Sequence, residues 1–158
     1  MARDSAAVRI FPPAVPLVTI LLGEGLDRLW PLLGEETGLP APLRYGLGGA
    51  LMIGALLGLG LWSVLVMRRS GQNENPWKPS PSLLERGPFT ISRNPMYLQM
   101  LLICIGAAVA SWNLWTLALT PLSAWLLQRL AIEPEEAYLE EKFGEAYRSY
   151  KRRVRRWI

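Results

Sequence analysis

Arg93-Asn94-Pro95-Met96-Tyr97 sets a base, an amide and a phenol at the threshold of a long apolar run, and Arg129, Glu133, Glu135 and Glu136 stand where that run ends. These residue types suggest binding chemistry. Neighbouring carboxylates can bind an amine or a pair of ribose hydroxyls, and the Tyr97 phenol can hydrogen-bond or present its ring to a cation. The same groups can also serve only as anchors at a membrane border, where polar and aromatic side chains gather. The chain has no histidine, and its one cysteine, Cys104, lies inside an apolar stretch. That excludes an internal disulfide, a Cys/His zinc cluster and any histidine-based triad or di-iron centre, so no metal site is expected. Cys104 reads as a small buried apolar residue.

The element between the two polar clusters decides whether they meet. From Asn94 to Gln128 run 35 uncharged residues, too many for one ordinary span of ~20 residues. Ser111, Trp112 and Asn113 interrupt the run near its middle, which predicts a tight hairpin of two short helices, 96–110 and 114–130. A hairpin returns the chain to the side it left, bringing the clusters together. Upstream, the 23 uncharged residues Tyr45–Met67 predict a span over 45–67.

The N-terminal segment offers 14 uncharged residues, Ile10–Gly23. Its prolines at 12, 13 and 16, and the lack of a clean small-residue cleavage site, argue against a signal peptide. A helix carried on to Leu33 gives a span over 10–33, with Glu24 and Arg28 one turn apart and able to pair. The expected fold is therefore an all-α integral membrane protein, one domain over 1–158 with four transmembrane helices. Five Lys and Arg lie between Arg68 and Arg93 and eight from Arg129 onward, against only Arg28 and Arg44 between Glu24 and Arg44. This bias places the 68–95 loop and both termini on the cytoplasmic side, in a bacterial inner membrane. The net charge of +4 is then mainly a topology signal, and no nucleic-acid partner is expected.

Gly54 and Gly58 form a GxxxG pair in the second span, which predicts close helix packing or, failing that, room for a ligand. Pro121 is placed to kink the last span. Prolines at 76, 79, 81, 88 and 95 forbid a continuous helix in the 68–95 loop, while Trp77, Leu83, Leu84, Phe89 and Ile91 make it too apolar for a solvated linker. A loop lying on the membrane surface or over a pocket is expected. Beyond Pro134, the spacing of Leu139, Phe143, Ala146, Tyr147, Tyr150, Val154 and Trp157 predicts one amphipathic cytoplasmic helix over 134–156. The six bases between Arg148 and Arg156 would draw it to anionic membrane lipids.

The string GPFTISRNPMYLQ followed by EEAYLEEKFGEAYRSYKRRV resembles the isoprenylcysteine carboxyl methyltransferase and phospholipid methyltransferase superfamily. The resemblance rests on Gly87, Pro88, Phe89 and Arg93–Tyr97, then Glu135, Glu136, Leu139, Phe143, Gly144, Tyr147 and Tyr150, and covers about residues 84–158. It implies an integral membrane methyltransferase that uses S-adenosylmethionine. By the same resemblance Gly87, Asn94, Pro95, Met96 and Tyr97 line the cofactor, Glu135 holds its polar end, Glu136 is a second candidate for catalysis and Arg129 orients a small or lipophilic acceptor. Phe143, Tyr147 and Tyr150 are read as packing. Asn94 replaces a histidine of the eukaryotic prenylcysteine enzymes and cannot act as a general base. A noncatalytic lipid-binding or assembly module, and a divergent membrane reductase, are the competing expectations.

Overall fold

Helices are the only regular elements among the described residues, which in this computed structural model are 6–33, 38–72, 75 and 77–158. α1 (Ala14–Leu29) follows Pro13, whose φ of −62° already suits a helix. It is shorter at both ends than the expected 10–33 span. α2 (Ala41–Ala55) also opens on a proline, passes through a π turn at Leu56–Leu61, and continues as α3 (Trp62–Arg69). Together the 29 residues Ala41–Arg69 make one helix long and apolar enough to cross a membrane.

After a short 3-10 turn at Gly87–Thr90, α4 (Pro95–Ser111) and α5 (Leu114–Leu127) form the expected hairpin. Trp112 turns the chain at φ 56°, and the Asn113 side chain caps α5 by accepting the Thr116 N–H at 2.9 Å. α5 then runs through a second π turn, Gln128–Ile132, into α6 (Glu133–Phe143). Pro134 accounts for the irregularity. It has no N–H to give the Leu130 carbonyl four residues back, and the Arg9 N–H takes that place at 2.9 Å. One missing donor thus ties the N-terminal segment to the end of the bundle that carries both polar clusters.

The tail departs from expectation. At Gly144 φ is 53° and ψ −123°, a conformation that costs any residue with a Cβ, and the chain restarts as α7 (Glu145–Arg153) before an extended end from Val154. The helix expected over 134–156 is therefore two helices. The break resets the helical phase, so the apolar stripe does not continue across it: Tyr147 is 1% exposed, whereas Ala146 faces outward. Among the described residues, five of the six bases pair with carboxylates, such as Lys151 with Glu140 at 2.9 Å, Arg152 with Glu145 at 2.9 Å and Arg153 with Glu85.

α4 is the hub, packed on α1, α2 and α5, while α1 lies along α5. The facing surfaces are small or hydroxylated. A Cβ on Gly48 of α2 would come within 2.7 Å of Ala110 on α4, and the Thr19 and Ser123 hydroxyls bond across α1 and α5. Large apolar residues point outward instead, Leu57 at 53% and Trp125 at 55% exposed. The close contact expected of Gly54 and Gly58 is not made; a Cβ on either would meet nothing within 4 Å. The π turn beginning at Leu56 shifts the phase between them, so they do not build a common packing surface with α4.

Candidate cofactor site

The first cluster is held by Arg155 and Arg156, some 60 residues further on. The Arg93 N–H donates to the Arg155 carbonyl at 2.9 Å. The Arg156 carbonyl accepts from both the Ser92 hydroxyl and the Asn94 side-chain amide, each at 3.1 Å, and Ser92 Oγ in turn accepts the Asn94 N–H at 3.1 Å. A carbonyl can only accept, so Asn94 must turn its NH2 towards Arg156, which leaves the amide oxygen for another donor. Extended backbone at Val154, just past α7, is what carries Arg155 and Arg156 to this position.

The second cluster meets the first at two places. Tyr97 Oη donates to Glu135 Oε2 at 2.9 Å. Arg93 lies 3.3 Å from Glu136, whose carboxylate also accepts two bonds from Arg156 at 3.2 and 2.7 Å. Glu136 is 5% exposed and both its oxygens are engaged by guanidinium groups. Burial raises the Glu135 carboxyl above the ordinary carboxylate range, with the Tyr97 hydrogen bond pulling the other way. Glu133 is shifted in the opposite sense, first by the bond from Gln128 at 3.2 Å and also by Arg129 at 3.1 Å. Burial also pushes the Tyr147 and Tyr150 phenols up, which keeps them protonated, and Tyr150 donates to the Phe89 carbonyl at 2.6 Å.

These groups surround a cavity with two lobes that share the Arg93, Asn94, Glu135, Phe89, Met67 and Asn75 walls. One lobe, of about 80 Å³, is the more polar of the two and lies beneath the described part of the 68–95 loop, with Ser80, Ser82 and Glu136 on its walls. The other, of about 330 Å³, is mostly apolar, with Pro95, Met96, Tyr97, Met100, Phe11 and Trp77 around it. Of the two placements its apolar residues suggested, the described part of the loop takes the one over a pocket. Trp77 stacks on Phe11 with ring centroids 6.4 Å apart and donates its indole N–H to the Val8 carbonyl at 3.1 Å, while the Ser80 N–H donates to the Tyr138 hydroxyl at 3.2 Å.

Asn94, Pro95, Met96, Tyr97, Glu135 and Glu136 therefore share the cavity walls. Gly87 lines neither lobe. It sits at φ 61° with Val66 and Trp62 3.0 and 3.2 Å from where a Cβ would stand, so it shapes the turn that presents Phe89. Arg129 also lies outside the walls, its side chain 57% exposed and paired with Glu133. Sequence reasoning missed Arg156, Ser92 and Phe11. Arg156 looks like any other base of the tail, and nothing local marks its carbonyl as the partner of Asn94.

The phospholipid methyltransferase family matches residues 43–146, from α2 to the start of α7. An uncharacterized protein of Haemophilus influenzae is 42% identical over 71 residues, which is 40% of this chain and all of that protein. No solved structure matches the chain. The family match spans every wall residue from Met67 to Glu136, and on that ground the chain belongs to the phospholipid methyltransferase family.

Proposed function

We propose that this chain transfers a methyl group from S-adenosylmethionine to a small or lipophilic acceptor, a carboxylate, thiol or amine, at the cytoplasmic face of a membrane. The observation that carries the reading is the Tyr97–Glu135 hydrogen bond of 2.9 Å, which joins two motifs 38 positions apart on one cavity wall. The residues present fit the cofactor. The apolar lobe, at about 330 Å³, lies within the ~300–1,000 Å³ typical of small-molecule sites. Pro95, Met96, Met100 and the Tyr97 ring offer a surface for the nucleoside, and Asn94 and Glu135 offer polar partners at its edge. When bound, the cofactor supplies an electrophilic methyl group on a sulfonium.

The chain's own contribution is to position and to exclude water. Holding donor and acceptor in line can supply ~7–11 kcal/mol of a barrier, and the Trp77–Phe11 stack and the loop above it limit access from solvent. A carboxylate or thiolate acceptor arrives ionised, whereas an ammonium acceptor must first lose a proton. Asn94 cannot take it, so the task would fall to a glutamate or tyrosine of the wall, Glu135 or Tyr97. In this reading Glu136 positions Arg93 and Arg156, and Arg129 remains at the rim with its Glu133 partner.

The same proposal places the chain in a bacterial inner membrane as one domain of four spans, built from α1, Ala41–Arg69, α4 and α5, with both termini cytoplasmic. Large apolar side chains outside, and glycine and hydroxyl contacts inside, support it, because lipid removes the drive to bury leucine and rewards close backbone approach. The test is equilibrium binding of S-adenosylmethionine and S-adenosylhomocysteine to detergent-purified protein, beside Tyr97→Ala and Glu135→Gln, followed by methyl transfer to lipid, thiol and prenylcysteine acceptors. Saturable binding lost in folded variants is expected. No binding by well-folded wild type in the presence of lipid would turn the reading towards a noncatalytic lipid-binding module or a reductase.

A further inference from the structure

A second space lies beside the cavity, in a groove between α1 and α5. Its volume is about 360 Å³, within the ~300–1,000 Å³ usual for a bound molecule. Val15, Val18 and Leu22 wall it on one side and Leu119, Leu122 and Leu126 on the other, and among the described residues that line it none is charged. The two helices are held together at small residues. A Cβ on Gly23 would overlap Thr116, and the Thr19 and Ser123 hydroxyls bond each other. These hydroxyls also reach the Val15 and Leu119 carbonyls of their own helices, at 2.7 and 3.2 Å, so the surface left to the groove is hydrocarbon.

Phe11 joins this groove to the cavity, because its side chain is a wall of both. The strap that carries it, residues 6–13, is fastened by main-chain groups: the Val8 carbonyl accepts the Trp77 indole N–H at 3.1 Å, and the Arg9 N–H donates to the Leu130 carbonyl at 2.9 Å. The Phe11 ring itself is 62% exposed and is stacked on Trp77. Turning it aside breaks that stack and leaves both fastenings in place. The family match begins at residue 43, within α2, so the strap and the α1 wall of the groove lie outside it.

We propose that the α1–α5 groove holds one hydrocarbon chain of a membrane lipid and that Phe11 is the partition past which the lipid's polar end enters the cavity. The inference rests on the four-span reading above, which turns the groove towards the bilayer, and on the methyl-donor reading, which makes that polar end the acceptor. The order of polarity fits such a molecule. Leu22 and Leu119 stand at the end of the groove away from Phe11, while Asn94 and Glu135 stand on the far side of Phe11, in the cavity. Within a bilayer a chain gains nothing by leaving water, so contact on two sides instead of one is what retains it in the groove. Phe11 then decides which acceptors reach the cavity, by the bulk that can pass its ring.

The test begins with wild-type protein, so that it does not depend on a variant folding. In phosphatidylcholine vesicles the protein is photolysed with palmitic acid carrying a diazirine near its carboxyl end or, separately, near its methyl end, and the adducts are mapped by mass spectrometry. Groove walls should be labelled roughly 10-fold more than Ile53 and Leu57, which are 59% and 53% exposed on the other side of the bundle's hub, a preference equivalent to ~1.4 kcal/mol. The methyl-end label should fall on Leu22 and Leu119, and the carboxyl-end label on Phe11 and Met100. Phe11→Ala should carry the carboxyl-end label on to Met96, and Leu122→Trp, which fills the groove, should lower its labelling by roughly 10-fold while S-adenosylhomocysteine binding shows that the cavity is intact. Equal labelling of the groove and of Ile53 and Leu57 overturns the proposal, and S-adenosylhomocysteine binding by the same preparation would leave the methyl-donor reading standing. Groove labelling in wild-type protein that binds no S-adenosylhomocysteine upholds the chain site and overturns the methyl-donor reading instead. An intermolecular disulfide formed in vesicles by Leu122→Cys, in a Cys104→Ser background, would give the groove to a second copy and overturn the lipid.

Discussion

Tyr97 and Glu135 are recognisable from residue type alone as groups that can bind something, but their value lies in a bond that crosses from α4 to α6. Removing the phenol hydroxyl leaves the partly buried Glu135 carboxyl with one donor fewer. Tyr97→Phe should weaken S-adenosylhomocysteine binding by about 5- to 10-fold, on ~1 kcal/mol for such a bond, with helicity unchanged by circular dichroism. The raised Glu135 carboxyl sets a pH dependence of definite sign. A ligand N–H or O–H bonds more strongly to the carboxylate than to the neutral carboxyl, so affinity should rise with pH through a window above the ordinary carboxylate range and then level off; Glu135→Gln should flatten the profile. Stability of the unliganded protein runs the other way. A carboxyl whose folded pKa exceeds its unfolded value contributes stability that is fully present below the unfolded pKa and is lost as pH rises through the folded one. Thermal unfolding followed against pH, with and without ligand, checks both signs.

At the scale of elements, the helices meet where side chains are smallest. Gly48→Val would drive a branched side chain into Ala110 and the Gly106 backbone, separating α2 from α4, and should lower the melting temperature in detergent markedly. Gly54→Val and Gly58→Val project into open space and should leave it within a degree or two. Equal losses at all three positions would mean that the outward face of this helix is packed after all. Gly144 tests the break in the tail. Its φ of 53° with ψ −123° makes Gly144→Ala cost roughly 1–3 kcal/mol, and because α7 carries Tyr147 and Tyr150 to the cavity wall, ligand affinity should fall with it. The hairpin was legible because Asn113 caps α5 and no charge interrupts either helix. The continuity of α5 into α6 was not, since Pro134 reads locally as a helix start and only its π turn shows that the helix passes through.

For the molecule as a whole, the site is closed by residues 154–158, far from it in sequence. Deleting Val154–Ile158 removes the Arg155 and Arg156 carbonyls from Arg93, Ser92 and Asn94, and the Arg156 guanidinium from Glu136. The truncated protein should keep its helices by circular dichroism and lose S-adenosylhomocysteine binding by more than 10-fold, on a loss of two or more bonds at ~1 kcal/mol each. Retained affinity would show that the motif from Ser92 to Tyr97 holds its shape unaided. The topology proposed above is open to an independent measurement. With Cys104→Ser as background, single cysteines placed at Ser149 and at Leu39 should react with an impermeant maleimide from opposite sides of inverted membrane vesicles.

The sequence by itself determined the long apolar helix Ala41–Arg69, the hairpin and the two motifs, because all three are local. Uncharged stretches, prolines and an Asn cap act within a few residues, and the motif residues stand close together in the chain. It also indicated that the loop before α4 lies on the membrane surface or over a pocket, from apolar residues that water would not accommodate, and left the choice between the two open. Only the tertiary structure decided which of those residues share a wall. Arg129 and Glu136 are both charged residues near the end of the same helical run, yet one pairs at the surface and the other is sealed between two guanidinium groups. The difference arises from helical phase through a π turn and from the path of a tail 20 residues further on, as the Arg156–Glu136 pairing shows. Neither is a property of the residues themselves: the phase depends on a carbonyl that finds its donor in Arg9, and the tail's path on Gly144.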